Sequence, residues 1–208
     1  VDRLTGVHEL LDGPLGDRRA LVANLRDLRR INRLTGGATL SVRAIRGLLP
    51  GDGAVLDIGT GGADIPVRLI DDARRRGAML EVTATDSRQE VLEAALAVRP
   101  DLEHVPGLTL GLADGRRLPW PDGAFDVSHA SLVLHHLEPD DAVMFLRELR
   151  RVSRLGIVVN DLSRGRLAWL GAWLVTHTVA AGRYTRHDGP LSVRRAYTQS
   201  EMEELLRA

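Results

Sequence analysis

Val55–Asp64 reads VLDIGTGGAD: a short apolar run, an acid, three glycines and a second acid. An apolar run that breaks on such a turn predicts a buried strand passing into a helix. The glycines leave backbone N–H groups open, and the helix that follows aims its N-terminus at whatever lies there, which favours an anionic or strongly polar ligand. The spacing separates two readings. The dinucleotide fingerprint places glycine or alanine five residues after its first glycine, and here that position is Asp64, an acid that repels a pyrophosphate. The shorter spacing Gly59, Gly61, Ala63, preceded by Asp57, remains, with the methyl of Ala63 expected to fit a backbone of negative φ. A tight strand-to-helix turn needed only for geometry is the plainer alternative.

Outward from this turn, strand and helix signals alternate. LEVTATD (80–86), LTLGLAD (108–114), AFDVSHAS (124–131) and GIVVND (156–161) read as strands. Helices are predicted over 65–76, over 87–98 behind a Ser87–Glu90 capping box, and from Pro139 to near Val152. Upstream, Asp17 caps a helix with Leu21, Leu25, Leu28 and Ile31 at helical spacing, TGG (35–37) breaks it, and a second helix covers 40–49. The pattern predicts an α/β Rossmann-like fold, a mostly parallel sheet with helices on both faces that binds ligands at the carboxyl ends of its strands. Residues 1–50 read as an N-terminal helical cap on a domain spanning 51–208. Within that domain, 163–198 is an insertion: an apolar helix, RLAWLGAWLVTHTVAAG, then a polar loop, RYTRHDGPLSVRRAY. Thr198 and Glu201 form a capping box for a last helix.

Lys+Arg and Asp+Glu each number 28 in 208 residues, giving zero formal charge. That argues against a dedicated nucleic-acid binder. Without cysteine there is no disulfide, zinc-thiolate site or cysteine nucleophile, and without lysine no Schiff base. No stretch reaches the ~20 apolar residues that span a bilayer, and no leader is read before Val1, so a cytoplasmic protein is expected.

Four segments in order resemble the class I S-adenosylmethionine-dependent methyltransferases, small-molecule branch, related to ubiquinone/menaquinone-type and phenolic-lipid methyltransferases. They are the glycine turn, Asp86 at the end of the second strand, LADGRRLPWPDGAFDV (112–127) and SLVLHHLEP (131–139). The resemblance covers about 50–160. It implies S-adenosylmethionine as cofactor, with Asp57, Gly59, Thr60 and Gly61 at its methionine end, Asp86 and Ser87 at the ribose, Ala113 and Asp114 at the adenine edge, and Ser131 beside it. It also implies seven strands closed by a hairpin. Five are visible, so a longer native chain or a partner element covering the fifth strand is expected.

The resembled chemistry is methyl transfer to a small, apolar, phenolic or quinol acceptor, with oxygen favoured over ring carbon as the methylated atom. A non-catalytic binding protein is the rival. His135 is the expected base and His136 an orienting neighbour, while His187 beside Asp188 is the competing base. Asn160 is a candidate for the acceptor hydroxyl, and Trp169 and Trp173, one helical turn apart, for an apolar lid; a dimer face or a membrane-surface contact is the other use of that pair. Asn32 or a nearby arginine is a candidate to close over the cofactor carboxylate. No metal is expected, since the segment after strand four opens on Ser131 and carries no acid before the histidines.

Overall fold

The computed structural model of the chain describes residues 2–180 and 182–208; Val1 and Ala181, the latter inside the predicted apolar helix, lie outside it. Strands β1 (Gly53–Ile58), β2 (Leu80–Asp86), β3 (Leu108–Leu112), β4 (Phe125–Ser131) and β5 (Ser153–Asn160) form one parallel sheet in the order β3-β2-β1-β4-β5. The chain leaves β1 toward β3 and then crosses to β4, so the strand order reverses between β1 and β4, where such sheets open a ligand crevice. Val55 pairs with Val127 at the sheet centre, and both are fully buried, as strands covered on both faces require. On one side Leu56 and Ile58 meet Phe145 and Leu149 of α5 (Pro139–Arg151); on the other Val55, Val82 and Val127 meet Ile45 of α2 (Gly37–Leu48) and Leu69 of α3 (Asp64–Arg75).

The glycine turn carries the most constrained backbone. Gly59 has φ +70°, and a Cβ there would stand 2.3 Å from Val133 Cγ2. Ala63, expected at negative φ, is instead left-handed (φ 53°) as the N-cap of α3. Its methyl is fully buried, so apolar contact offsets a conformation that costs an L-residue roughly 1–2 kcal/mol.

Two further expectations need correction. The predicted polar loop after the apolar helix is the helix α7 (Arg183–Arg195), with Pro190 inside it. Its helicity comes from packing: α7 lies on α6 (Arg166–Thr178) and on α1 (Arg18–Thr35), burying Tyr184, Thr185 and Val193. A Cβ at Gly189 would stand 2.4 Å from Thr176 Cγ2, so the glycine that lowers helix propensity is what lets α6 and α7 approach. The helix α4 (Gln89–Val98) starts at Gln89 without a Ser87 cap. Asp86 Oδ1 accepts from the Arg88 amide at 3.2 Å and thus bends the entry that a Ser87 cap would have used, leaving Ser87 exposed.

Elsewhere the caps are as predicted. Asp17 accepts from the Ala20 amide at 3.0 Å, and Thr198 and Glu201 complete a reciprocal capping box on α8 (Gln199–Arg207). Strand β5 pairs with β4 on one side only among the described residues, and its Leu155 is 50% exposed. The hydrogen bond from Arg164, with the Thr198 contacts, holds the Glu201 carboxyl down at about 2, against an ordinary 4.5.

Two outcomes are expected in urea unfolding. Gly59→Ala loses more than ~2 kcal/mol through clash and a left-handed side chain, whereas Gly62→Ala, whose Cβ would meet nothing within 4 Å, stays within about 0.5 kcal/mol of wild type. Because the folded-state pKa of Glu201 is depressed, its contribution is present above about 4.5 and is lost as pH falls through about 2. Glu201→Gln is therefore less stable than wild type at pH 7, by about 0.5–1 kcal/mol for this part-exposed pair, and the gap closes in acid.

Candidate active site

At the carboxyl end of β1 a small cleft is bounded by Asp57, Gly59, Thr60, Gly61, Asp64 and Ser131, with Leu25, Leu28 and Asn32 of α1 closing it from above. Asp57 is buried, and its Oδ1 lies 2.5 Å from Nδ1 of His129 on β4. Asp86, at the end of β2, accepts from the Gly61 amide at 3.2 Å as well as from Arg88. Burial pushes its carboxyl up while these two amides and that of Ser87 pull it down, the net shift being upward. Burial likewise raises Asp64, against a 3.4 Å hydrogen bond from Asn32.

The cleft opens beside a larger cavity of about 520 Å³. Leu28, Asn32, Ser131 and Leu132 border both. Leu132 adopts φ 58° there and donates its amide to Asn160 O at 2.9 Å; such strain in a branched residue marks an over-determined position. The cavity walls are mainly aliphatic, from Leu11, Ile31, Leu40, Leu162, Val175 and Val193. His135 enters from the short turn after β4. Asp161, at the end of β5, holds it three ways: Oδ1 lies 2.6 Å from its Nδ1, and Oδ2 accepts from the amides of His135 (3.2 Å) and Leu134 (2.7 Å). Burial works to raise the Asp161 carboxyl, but the imidazole beside it and the amides of Leu162 and His135 hold it below the ordinary range. A carboxylate at Nδ1 keeps the proton there and leaves the Nε2 lone pair free.

His136 also borders the cavity, with Nδ1 2.7 Å from Asp12 Oδ1. Asn160 borders it too, donating to Gly37 O at 3.1 Å and Ser41 Oγ at 3.0 Å. Three residues expected on the acceptor side do not reach the cavity. The His187 side chain is 54% exposed on the far side of α7, paired with Asp188 at 2.8 Å, because its helical register turns Asp188 and Ser192 inward. Trp169 and Trp173 are 39% and 42% exposed; the face of α6 on the cavity is the small one, Ala168, Gly171, Ala172 and Val175. Asp114 is exposed and held by Arg116 through Oδ1 (3.1 Å) and Oδ2 (2.9 Å), beside buried Ala113. Sequence reasoning missed Glu9 and Asp12. Both sit in an N-terminal segment without periodic signal, and Glu9 becomes significant only when folding buries it against Ser192, whose hydroxyl donates to it at 2.8 Å.

The donor set fits a nucleoside-sulfonium cofactor with an amino-acid end. Thr60 Oγ1 is buried without a hydrogen-bond partner in the cleft wall, Gly62 leaves open space, and acids stand at the ends of β1 and β2. The family model described as "Methyltransferase domain" matches residues 56–159. The chain is 35% identical over 72 residues to the ubiquinone/menaquinone biosynthesis C-methyltransferase UbiE of Rickettsia akari, covering 35% of this chain and 29% of that protein. It is 29% identical over 117 residues to UbiE of Geobacter sp. (strain M21), covering 55% and 48%. The chain thus spans less than half the length of these curated relatives. In fold it resembles a putative methyltransferase from an antibiotic biosynthesis pathway of Anabaena variabilis (TM-score 0.57, 23% identity, 80% of this chain and 58% of that one). It also resembles the [4+2]-cyclase SpnF (TM-score 0.54, 20% identity, 80% and 54%). The chain belongs to the methyltransferase-domain family, in its class I, S-adenosylmethionine-dependent form. Among the described residues no helix is long and apolar enough to cross a membrane.

S-adenosylhomocysteine at ~100 times its dissociation constant is expected to stabilise the fold by about 2.7 kcal/mol in thermal unfolding, and NADH to give no shift. Asp86→Ala weakens that protection without lowering the unliganded transition.

Proposed function

We propose that the chain transfers a methyl group to a small apolar acceptor, phenolic or quinol in type, held in the 520 Å³ cavity. The observation that carries this reading is the shared border: the cofactor cleft and the aliphatic cavity meet at Ser131 and Leu132, with His135 in the cavity wall. The cofactor, when bound, supplies an electrophilic methyl on a sulfonium. Asp57, Thr60 and Gly61 bind its amino-acid end, and Asp86 accepts from the ribose hydroxyls. Asp114 serves the adenine edge through a carboxylate that Arg116 pre-orients.

The acceptor side is built for alignment and water exclusion. Helices α1 and α2 form the cap, and α6 and α7 the lid, through its Ala–Gly face. Enclosure by aliphatic walls suits a ring and keeps water from the reacting centre. His135, fixed by Asp161, presents Nε2 to the acceptor hydroxyl and takes its proton, while Asn160 and His136 orient it. Oxygen is the favoured methyl-accepting atom because this basic group is in reach of a hydroxyl. Methylation at a ring carbon is the second reading, favoured by the C-methyltransferase names of the matching relatives.

With a panel of phenols and quinols and S-adenosylmethionine, one mass gain of a methyl is expected. His135→Ala lowers turnover ~10²–10⁴-fold with S-adenosylhomocysteine affinity near wild type, and His187→Ala leaves turnover unchanged. A large loss in His187→Ala with none in His135→Ala would place the base on α7 and refute this assignment.

A further inference from the structure

Glu9, His135 and His136 bring one donor atom each to within 4.8 Å of the other two. Nε2 of His135 stands 3.7 Å from Glu9 Oε1, and Nε2 of His136 stands 3.8 Å from Glu9 Oε2. Both separations are too long for hydrogen bonds. Ligands of one tetrahedral ion, each ~2.0–2.1 Å from the metal, lie about 3.3–3.4 Å from one another, so the three donors, which stand within 4.8 Å of one another, draw inward to take an ion.

The outer contacts point the same way. Each imidazole has its Nδ1 on a carboxylate, His135 on Asp161 at 2.6 Å and His136 on Asp12 at 2.7 Å. That contact keeps the proton at Nδ1, orients the ring and makes Nε2 the better donor, as around metal-bound histidines. The two rings lie side by side, centroids 4.2 Å apart, so both lone pairs arrive from one side of Glu9. Glu9 and His135 are each only 3% exposed. Two carboxylates, Glu9 and Asp12, meet one guanidinium, that of buried Arg195, which is 2.5 Å from Asp12 and 3.8 Å from Glu9. A further positive charge there offsets the cost of taking two carboxylates out of water.

All three donors border the cavity. A three-ligand set that leaves a position facing a cavity is the arrangement of reactive rather than structural metal centres. Two imidazoles and a carboxylate suit zinc or another divalent first-row ion. The expectation of a metal-free site rests on the lack of an acid between Ser131 and the histidines; folding brings the carboxylate of Glu9 to the histidines from the N-terminal segment.

We propose that Glu9, His135 and His136 form a divalent transition-metal site whose open position takes an oxygen of the acceptor. The ligand set stands on its own geometry; the acceptor role rests on the methyl-transfer reading above. With an ion bound, the His135 lone pair would be engaged in coordination and the ion would replace the imidazole in the proton-removing role given to it above, supplying positive charge that lets the acceptor hydroxyl lose its proton to solvent.

The test uses the full chain, stripped with EDTA, dialysed and titrated with Co²⁺ as a spectroscopic probe. One Co²⁺ per chain is expected, with visible absorption of a low-symmetry site that one equivalent of Zn²⁺ abolishes. Glu9→Gln and His136→Ala each weaken Co²⁺ binding more than ~10-fold, and Asp12→Asn ~10-fold or more through His136. Retained S-adenosylhomocysteine binding shows that these variants fold. Absence of saturable absorption, or the same affinity in wild type, Glu9→Gln and His136→Ala, overturns the site. Turnover of the phenol and quinol panel separates the rest. Turnover equal in EDTA and in Zn²⁺ overturns the metal's role at the acceptor and leaves methyl transfer standing. Stoichiometric Co²⁺ with no acceptor methylated under either condition upholds the site and overturns the methyl-transfer reading.

Discussion

A buried chain of hydrogen bonds underlies both halves of the site. Asp57 on β1 meets Nδ1 of His129 on β4, Nε2 of that ring meets Ser41 Oγ on α2 at 2.9 Å, and Asn160 at the end of β5 donates to the same hydroxyl. Three strands and one helix are thus tied together by polar groups, of which Asp57, His129 and Ser41 are buried. Such a network rigidifies when every member is satisfied and is costly when one is missing. Here it sets the spacing of β1, β4 and β5 where the strand order reverses, and with it the distance from the glycine turn to His135 and Asp161.

On that base the two compartments are built differently. The cofactor cleft is made by backbone: a turn bent by Gly59 and Ala63, amides offered to Asp86, and a helix N-terminus. The neighbouring cavity is made by side chains on α1, α6, α7 and the N-terminal segment, and His135, His136, Asn160 and Asp161 bring its polar groups from the ends of β4 and β5. A rigid backbone cradle beside a replaceable aliphatic wall is how one fold serves different acceptors.

The parts of this design that depend on local order were legible in the sequence. Strand periodicity, the caps at Asp17 and Thr198, the turn, and the placement of Asp57, Ser131, His135 and Asn160 all follow from neighbours within a few residues. Errors arose where distant packing overrides local preference. The Gly189-Pro190 pair reads as a loop, yet Thr176 packs onto Gly189 and the segment is a helix. Trp169 and Trp173, one turn apart in an apolar segment, read as a lid face; the close approach of α6 and α7 puts the small face on the cavity instead. A side chain at Ala63 predicts negative φ, but burial of that methyl tips the balance. Glu9 and Asp12 carry no periodic signal, and the side chains they meet lie far along the chain, at His135, His136, Ser192 and Arg195.

That separation bears on the order in which the molecule assembles. Within the sheet the pairing of β1 with β4 brings together residues 72 positions apart, such as Asp57 and His129, whereas the Glu9–Ser192 hydrogen bond spans 183 positions. Closing a loop of that length costs chain entropy that the central sheet does not require. During synthesis the cofactor platform can therefore form while the acceptor compartment still lacks a wall. The compartment is completed only when α7 has emerged and the N-terminal segment has docked against it.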